Sequence, residues 1–167
     1  MIDMLPYLAM AKSGALQREL RQTRPFQTDA QEAVLALVRT ADLVRRHAAR
    51  VVEPHGITLQ QYNVLRILRG AGDEGLPTLD VADRMIEQTP GVTRLLDRLE
   101  AKSYIRRERC RQDRRQHLCW LTAAGTRLLD RLDAPMLAAH DESLKGLGAA
   151  DRQRLLSLLA SVRTPEH

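Results

Sequence analysis

Thr89-Pro90-Gly91-Val92-Thr93-Arg94-Leu95-Leu96-Asp97-Arg98-Leu99-Glu100-Ala101-Lys102 is the stretch on which the reading of this chain turns. A threonine followed by proline marks a helix start. The hydroxyl can accept from a free backbone N–H, and proline lacks the N–H that the first turn would leave unsatisfied. Val92, Leu95, Leu96 and Leu99 recur at helical spacing and define the buried stripe. The opposite face carries Pro90, Gly91, Thr93, Arg94, Asp97, Arg98 and Ala101. Gly91 lets backbone approach a base or phosphate, and Thr93 can hydrogen-bond to either. Arg94 has the forked donor geometry that matches guanine O6 and N7. The helix N-terminus itself favours a phosphate.

Upstream, Thr78 is placed to cap a short helix with Leu79, Ala82, Met85 and Ile86 inward. A tight turn near Glu87-Gln88 joins it to the next helix. Two helices joined this way form a helix-turn-helix, which lays its second helix in the major groove of DNA. Gln88, Thr89, Gly91, Thr93, Arg94 and Arg98 are the expected contacts there. Downstream, Tyr104–Cys110 and Gln116–Leu121 read as two short strands, with Arg111–Arg115 as the hairpin tip. A thin arm tipped with arginine suits a narrow minor groove, where the negative potential is strongest. Asp113 is assigned to orienting, Arg115 to insertion and Arg114 to phosphate. Arg106, Arg107 and Arg109 are read as phosphate contacts or hairpin support.

Further out, Thr28-x-x-Gln31 is a capping box that opens a long helix. Val34, Leu37, Val38, Ala41, Val44, Ala48 and Val51 line it, and Pro54 and Gly56 end it near Glu53. A second box, Thr58-x-x-Gln61, opens a helix with Leu59, Tyr62, Leu65 and Leu68 on one face, closed by Gly70, Gly72 and Gly75. Thr122 caps a fifth helix carrying Leu128, Leu129, Leu132, Met136 and Leu137, which Pro135 should kink or break. Gly148 precedes a last helix with Leu155, Leu158, Leu159 and Val162 inward. The first 25 residues differ in character: Ala11–Arg21 could form a short amphipathic helix, and Thr23–Gln27 reads as a break.

Composition narrows the classes. The chain has 167 residues and a formal net charge of +5. Residues 94–115 hold nine basic and four acidic side chains, which accounts for that whole excess. The basicity is local, so it points to a polyanion-binding surface rather than a generally cationic protein. Two cysteines cannot build a disulfide framework, and the expected compartment is reducing and cytoplasmic. No apolar run approaches the roughly 18 residues a membrane helix needs. Pro6 interrupts the mildly apolar Met4–Ala11, and Asp3 stands where an export signal would be positive. No nucleotide-binding, zinc-protease or other catalytic motif is present, so neither an enzyme nor a cofactor is expected.

Residues 58–125 resemble the MarR (multiple antibiotic resistance regulator) family of bacterial winged-helix repressors. The resemblance rests on Val92-Thr93-Arg94-Leu95-Leu96-Asp97-Arg98-Leu99-Glu100-Ala101-Lys102, on Tyr104-Ile105-Arg106-Arg107, on Asp113-Arg114-Arg115 and on Leu121-Thr122-Ala123-Ala124-Gly125. The order of the outer helices extends it to about residues 28–163. It implies a mainly α fold: a winged helix-turn-helix core with a two-stranded β wing, plus N- and C-terminal helices forming a dimerisation region. The expected division is an arm at 1–27, a dimerisation helix at 28–57, the DNA-binding domain at 58–122, C-terminal dimerisation helices at 123–163 and a tail at 164–167. The resemblance implies a homodimer on a pseudo-palindromic operator in double-stranded DNA, acting as a repressor released by a small-molecule effector. Ser103 departs from the family, which commonly has glycine there, and the N-terminal arm is longer than usual.

Two other functions compete: a winged helix used for protein contact, and a cysteine-based oxidation sensor. Cys110 lies beside Arg109 and Arg111, which would favour thiolate. It and Cys119 are not expected to face each other. Tyr62 and His47 each combine a polar tip with an apolar helical face, which makes them candidate effector-pocket residues. Packing in the core and at the surface is the competing and favoured reading, and neither is assigned to the site. His47, His55, His117 and His140 are scattered without ligand spacing, so no metal is expected.

Overall fold

The computed structural model describes residues 14–87, 91–110 and 116–164. The chain divides after Val44 into two compact units. In the first, α1 (Ala15–Glu19) precedes α2 (Asp29–Val52), whose last turns belong to the second unit. Thr28 caps α2 as its spacing predicts, accepting from the Gln31 N–H at 3.1 Å. The return bond differs: Gln31 Oε1 accepts from Gln27 N at 2.8 Å, one residue earlier than the box expects. Arg39 Nε lies 2.8 Å from Glu19 Oε1 and ties α1 to α2. Val34, Leu37 and Val38 are exposed.

The second unit contains α3 (Leu59–Ala71), β1 (Leu76–Pro77), α4 (Thr78–Asp83), α5 (Val92–Ala101), β2 (Ile105–Arg109), β3 (His117–Leu121), α6 (Ala123–Ser143) and α7 (Ala149–Arg163). Thr58 closes a complete capping box at the start of α3. Its hydroxyl accepts from Gln61 N at 3.2 Å, and Gln61 Oε1 accepts from Thr58 N at 3.0 Å. Val64, Leu65 and Leu68 of α3, Leu96 and Leu99 of α5, and Leu128, Leu129 and Leu132 of α6 are essentially inaccessible and form the core. Arg69 of α3 grips Asp133 of α6 with two bonds of 2.8 and 2.9 Å. That guanidinium holds the Asp133 carboxyl below the usual aspartate value.

Several expectations about capping and facing need correction, and the sheet is larger than the wing. The two expected wing strands, β2 and β3, pair antiparallel, and β1 adds a third strand in the order β1-β3-β2. Trp120 lies on Gly75, where an added Cβ would meet the indole at 2.5 Å, and its Nε1 donates to Asp73 O at 3.1 Å. This seats Leu76 and Pro77 beside Cys119 and Leu118, and proline is tolerated there because β1 is an edge strand.

Thr78 does not cap α4; its hydroxyl donates to His117 O at 3.3 Å instead. Val81 and Met85 point inward, whereas Leu79 and Ile86 are 73% and 85% exposed.

The α6 helix runs through Pro135 without a break. Leu132 and Met136, buried on either side of the proline, offset the missing hydrogen bond. Leu137 faces out.

No residue of α7 is buried, and Leu158 and Val162 are exposed rather than inward. Nothing among the described residues of its unit covers them.

Candidate nucleic-acid interface

The helix that opened the reading, α5, begins at Val92, later than Thr89-Pro90 suggests. Its N-cap is Gly91, at φ 102° and ψ 31°, without a side-chain cap bond. That left-handed backbone is why the position requires glycine. Gly91 O accepts from Arg94 N at 2.9 Å. Val92, Leu96 and Leu99 are buried and Leu95 half-buried, while Thr93, Arg94, Asp97, Arg98 and Ala101 are exposed. The face expected to meet a ligand is therefore outward. Gln88 and Thr89, with Pro90, lie outside the described residues, as do Asp113, Arg114 and Arg115 of the hairpin tip.

The basic window separates into engaged and free cations. Arg107 is the most engaged. Its side chain, 19% exposed, reaches Asp97 at 2.6 Å and Glu100 at 2.6 and 2.9 Å. Its backbone N–H donates to the other Glu100 oxygen at 3.1 Å. The Glu100 hydrogen bond, supported by Asp97, raises the Arg107 pKa against the opposing effect of burial. Arg107 is thus hairpin support, clamping β2 onto α5, and is not free for a phosphate. Arg106 stacks 4.1 Å from the Trp120 ring centroid and pairs with Glu108. Lys102 Nζ donates to Gly56 O.

Arg94, Arg98 and Arg109 are exposed and make no side-chain hydrogen bond or ion pair among the described residues. Every described acid of the window (Asp97, Glu100 and Glu108) is held by an arginine. This pairing leaves the net charge of the window unchanged, but it leaves Arg94, Arg98 and Arg109 without an acidic partner among the described residues. Sequence reasoning missed the Arg107 clamp, because Asp97, Glu100 and Arg107 meet only once β2 folds back on α5.

The return of the chain from α5 to the strands is a Schellman turn. Tyr104 N donates to Leu99 O at 3.0 Å and Ser103 N to Glu100 O at 2.8 Å. Ser103 occupies the left-handed position at φ 59°, which accounts for the glycine usual there. Thr122 joins this turn to α6. Its hydroxyl lies 2.7 Å from Ser103 O and 3.0 Å from Tyr104 O, and accepts from Gly125 N at 3.1 Å. A Cβ on Gly125 would collide with Tyr104 O, so glycine is required for the close approach.

Both cysteines are free. Cys119 is wholly buried between Leu76 and Arg107 in the sheet register, and burial pushes its thiol up. Cys110 is half-buried opposite Gln116, so the two do not face each other. His47 Nδ1 lies 3.0 Å from Ser143 Oγ, and Tyr62 is buried.

Two helices in succession, α4 and α5, the second outward and basic, followed by an antiparallel strand pair clamped to it, define a winged helix-turn-helix protein. Residues 55–116 match the model of the MarR family. A solved MarR transcription factor from Planctomyces limnophilus is 36% identical, covers 81% of this chain and 98% of its own, and superposes with a TM-score of 0.65. The HTH-type transcriptional regulator TtmR of Methylorubrum extorquens (strain PA1) is 35% identical over 113 residues, 68% of this chain. The chain spans 56% of the length of that relative. CouR from Rhodococcus jostii RHA1, solved with p-coumaroyl-CoA bound, is 26% identical, with a TM-score of 0.69 over 85% of this chain and 99% of its own. The chain belongs to the MarR family. No helix of the described residues is long and apolar enough to cross a membrane.

Proposed function

We propose that the protein is a cytoplasmic, homodimeric, sequence-specific DNA-binding transcriptional regulator: a repressor that a small-molecule ligand releases from a pseudo-palindromic operator. The observation that carries this reading is the outward face of α5, where Arg94 and Arg98 stand exposed and unpaired while Arg107 takes up the neighbouring acids. Gln88, Thr89, Gly91, Thr93, Arg94 and Arg98 meet the major groove in this scheme. Asp113 orients the wing tip, Arg114 meets phosphate and Arg115 enters the minor groove. TtmR, by its name, is a transcriptional regulator, which supports the reading. Exposed leucines on α7 suit a second copy of the chain. Two copies would set their recognition helices about one helical turn of DNA apart. The ligand bound by CouR supports an effector of some kind here. Such an effector acts by favouring a separation of the two recognition helices that no longer fits the groove, and its effect cannot exceed its differential affinity for the two conformers.

Titration of duplex binding against salt tests the proposal. Log affinity should fall with log salt at a slope of about −0.9 per phosphate contact. Arg94→Ala should cost about 1–3 kcal/mol on the selected operator and relax base preference at one position. Equal losses on operator and random duplex would make Arg94 a phosphate contact. Operator binding untouched by Arg115→Ala would remove the wing from the interface.

A further inference from the structure

The turn ahead of α5 carries an aliphatic side chain into solvent on a fixed mount. Ile86 is 85% exposed, more than any other large hydrophobic side chain among the described residues. Its backbone N–H donates to Asn63 Oδ1 of α3 at 2.9 Å. On one side of it, Met85 is buried in the core. On the other, Glu87 is held by Arg45 at 3.0 Å, with Gln60 Nε2 at 3.4 Å from its second oxygen. Both flanks are anchored, so the outward direction of Ile86 is built into the turn and does not come from slack chain. An apolar group already ordered in this way loses little entropy on contact.

We infer that Ile86 is a specificity-determining contact that packs against the 5-methyl group of a thymine in the major groove. The inference rests on the DNA-binding reading above. A helix-turn-helix brings the N-terminal end of its second helix to the base edges, and Ile86 stands five residues ahead of Gly91 in the chain. The thymine methyl is the apolar feature of the base edges in that groove. Exposed arginines at 84, 94 and 98 flank the turn in sequence. They suit a polyanion and oppose a second copy of the same basic surface, which would set like charges against each other.

The test uses the duplex that the purified full-length protein enriches from a random library. Each dT is replaced in turn by dU, which removes only the methyl. The wild type should lose about fourfold in affinity at one dT of each half-site, the worth of one buried methyl. Ile86→Ala should lose a similar factor on the dT duplex and no longer distinguish dT from dU at that position. Its melting temperature should not change, because the side chain contributes almost nothing to the core. Undiminished dT/dU discrimination by Ile86→Ala would overturn the assignment, and so would enrichment of a sequence with no methyl dependence anywhere. Weakened self-association of Ile86→Ala in sedimentation would make the residue a subunit contact instead. A protein that enriches no sequence overturns the DNA-binding reading, and this inference with it.

Discussion

Within the second unit, α5 and α7 are both leucine-rich helices, and they spend their leucines differently. Val92, Leu96 and Leu99 of α5 are buried by the chain itself, whereas α7 has no buried residue and leaves Leu156, Leu158 and Val162 about 60% exposed. Periodicity alone gives both helices an inward stripe. The difference lies in what covers the stripe. Around α5 the chain supplies α3, α4 and β2, in contact with it, while nothing among the described residues of its unit buries any residue of α7. An apolar face that the fold leaves open marks an association surface. The comparison therefore separates a helix whose stripe the fold covers from one whose apolar face it leaves open, which is the face the proposed dimer would use.

Leu96→Ala should break the α5 side of this comparison most severely. A fully buried leucine replaced by alanine costs about 2–5 kcal/mol, readable as a lower urea midpoint with an unchanged slope. Leu158→Asp should instead leave the subunit's secondary structure intact and weaken self-association by about 2 kcal/mol or more, as loss of an interface anchor does. Sedimentation equilibrium measures that loss. A monomeric wild type, or a Leu158→Asp variant that sediments as the wild type does, would remove α7 from assembly.

What the sequence revealed follows the same division. Local chemistry was legible. The Thr58 box, the Thr122 cap and the stripe of Val92, Leu95, Leu96 and Leu99 each depend on residues within a turn or two of one another. Helix α4 is only six residues long and ends at Asp83, so the helical spacing that places Leu79 and Ile86 inward has too few turns to fix facing and, at Ile86, runs past the end of the helix. Strand β1 has two residues and exists because Trp120 packs on Gly75, a contact across 45 positions that no local pattern announces. The helix continues past Pro135, and propensity does not register the burial of Leu132 and Met136 around it. In the candidate site, the outward face of α5 was legible from spacing. Arg107 was not separable from its neighbours, because the carboxylates that hold it belong to another element.

The Arg107 clamp extends the contrast, since it is what makes α5 and β2 one body. Arg107→Ala strands the Glu100 carboxylate at its contact with β2, and should cost about 1–3 kcal/mol, the worth of hydrogen bonds to a charged group. It should also lower operator affinity while leaving the salt slope unchanged, because no phosphate contact is lost. A slope shallower by about 0.9 would instead assign Arg107 to a phosphate.

The smallest effect tests whether α5 is as well finished at its end as along its stripe. Ser103 holds φ 59° in the Schellman turn, a conformation that costs a residue with a Cβ roughly 1–2 kcal/mol. Its N–H and carbonyl both make useful bonds, to Glu100 O and from the Thr122 hydroxyl, so the turn is retained despite that cost. Ser103→Gly keeps both bonds and removes the Cβ. It also gives the unfolded chain more freedom, which takes back part of the gain. The net expectation is about 0.5–1 kcal/mol of added stability, seen as a higher urea midpoint, with operator affinity unchanged. A fall in stability would mean that the Ser103 side chain contributes more to the turn than its backbone conformation costs.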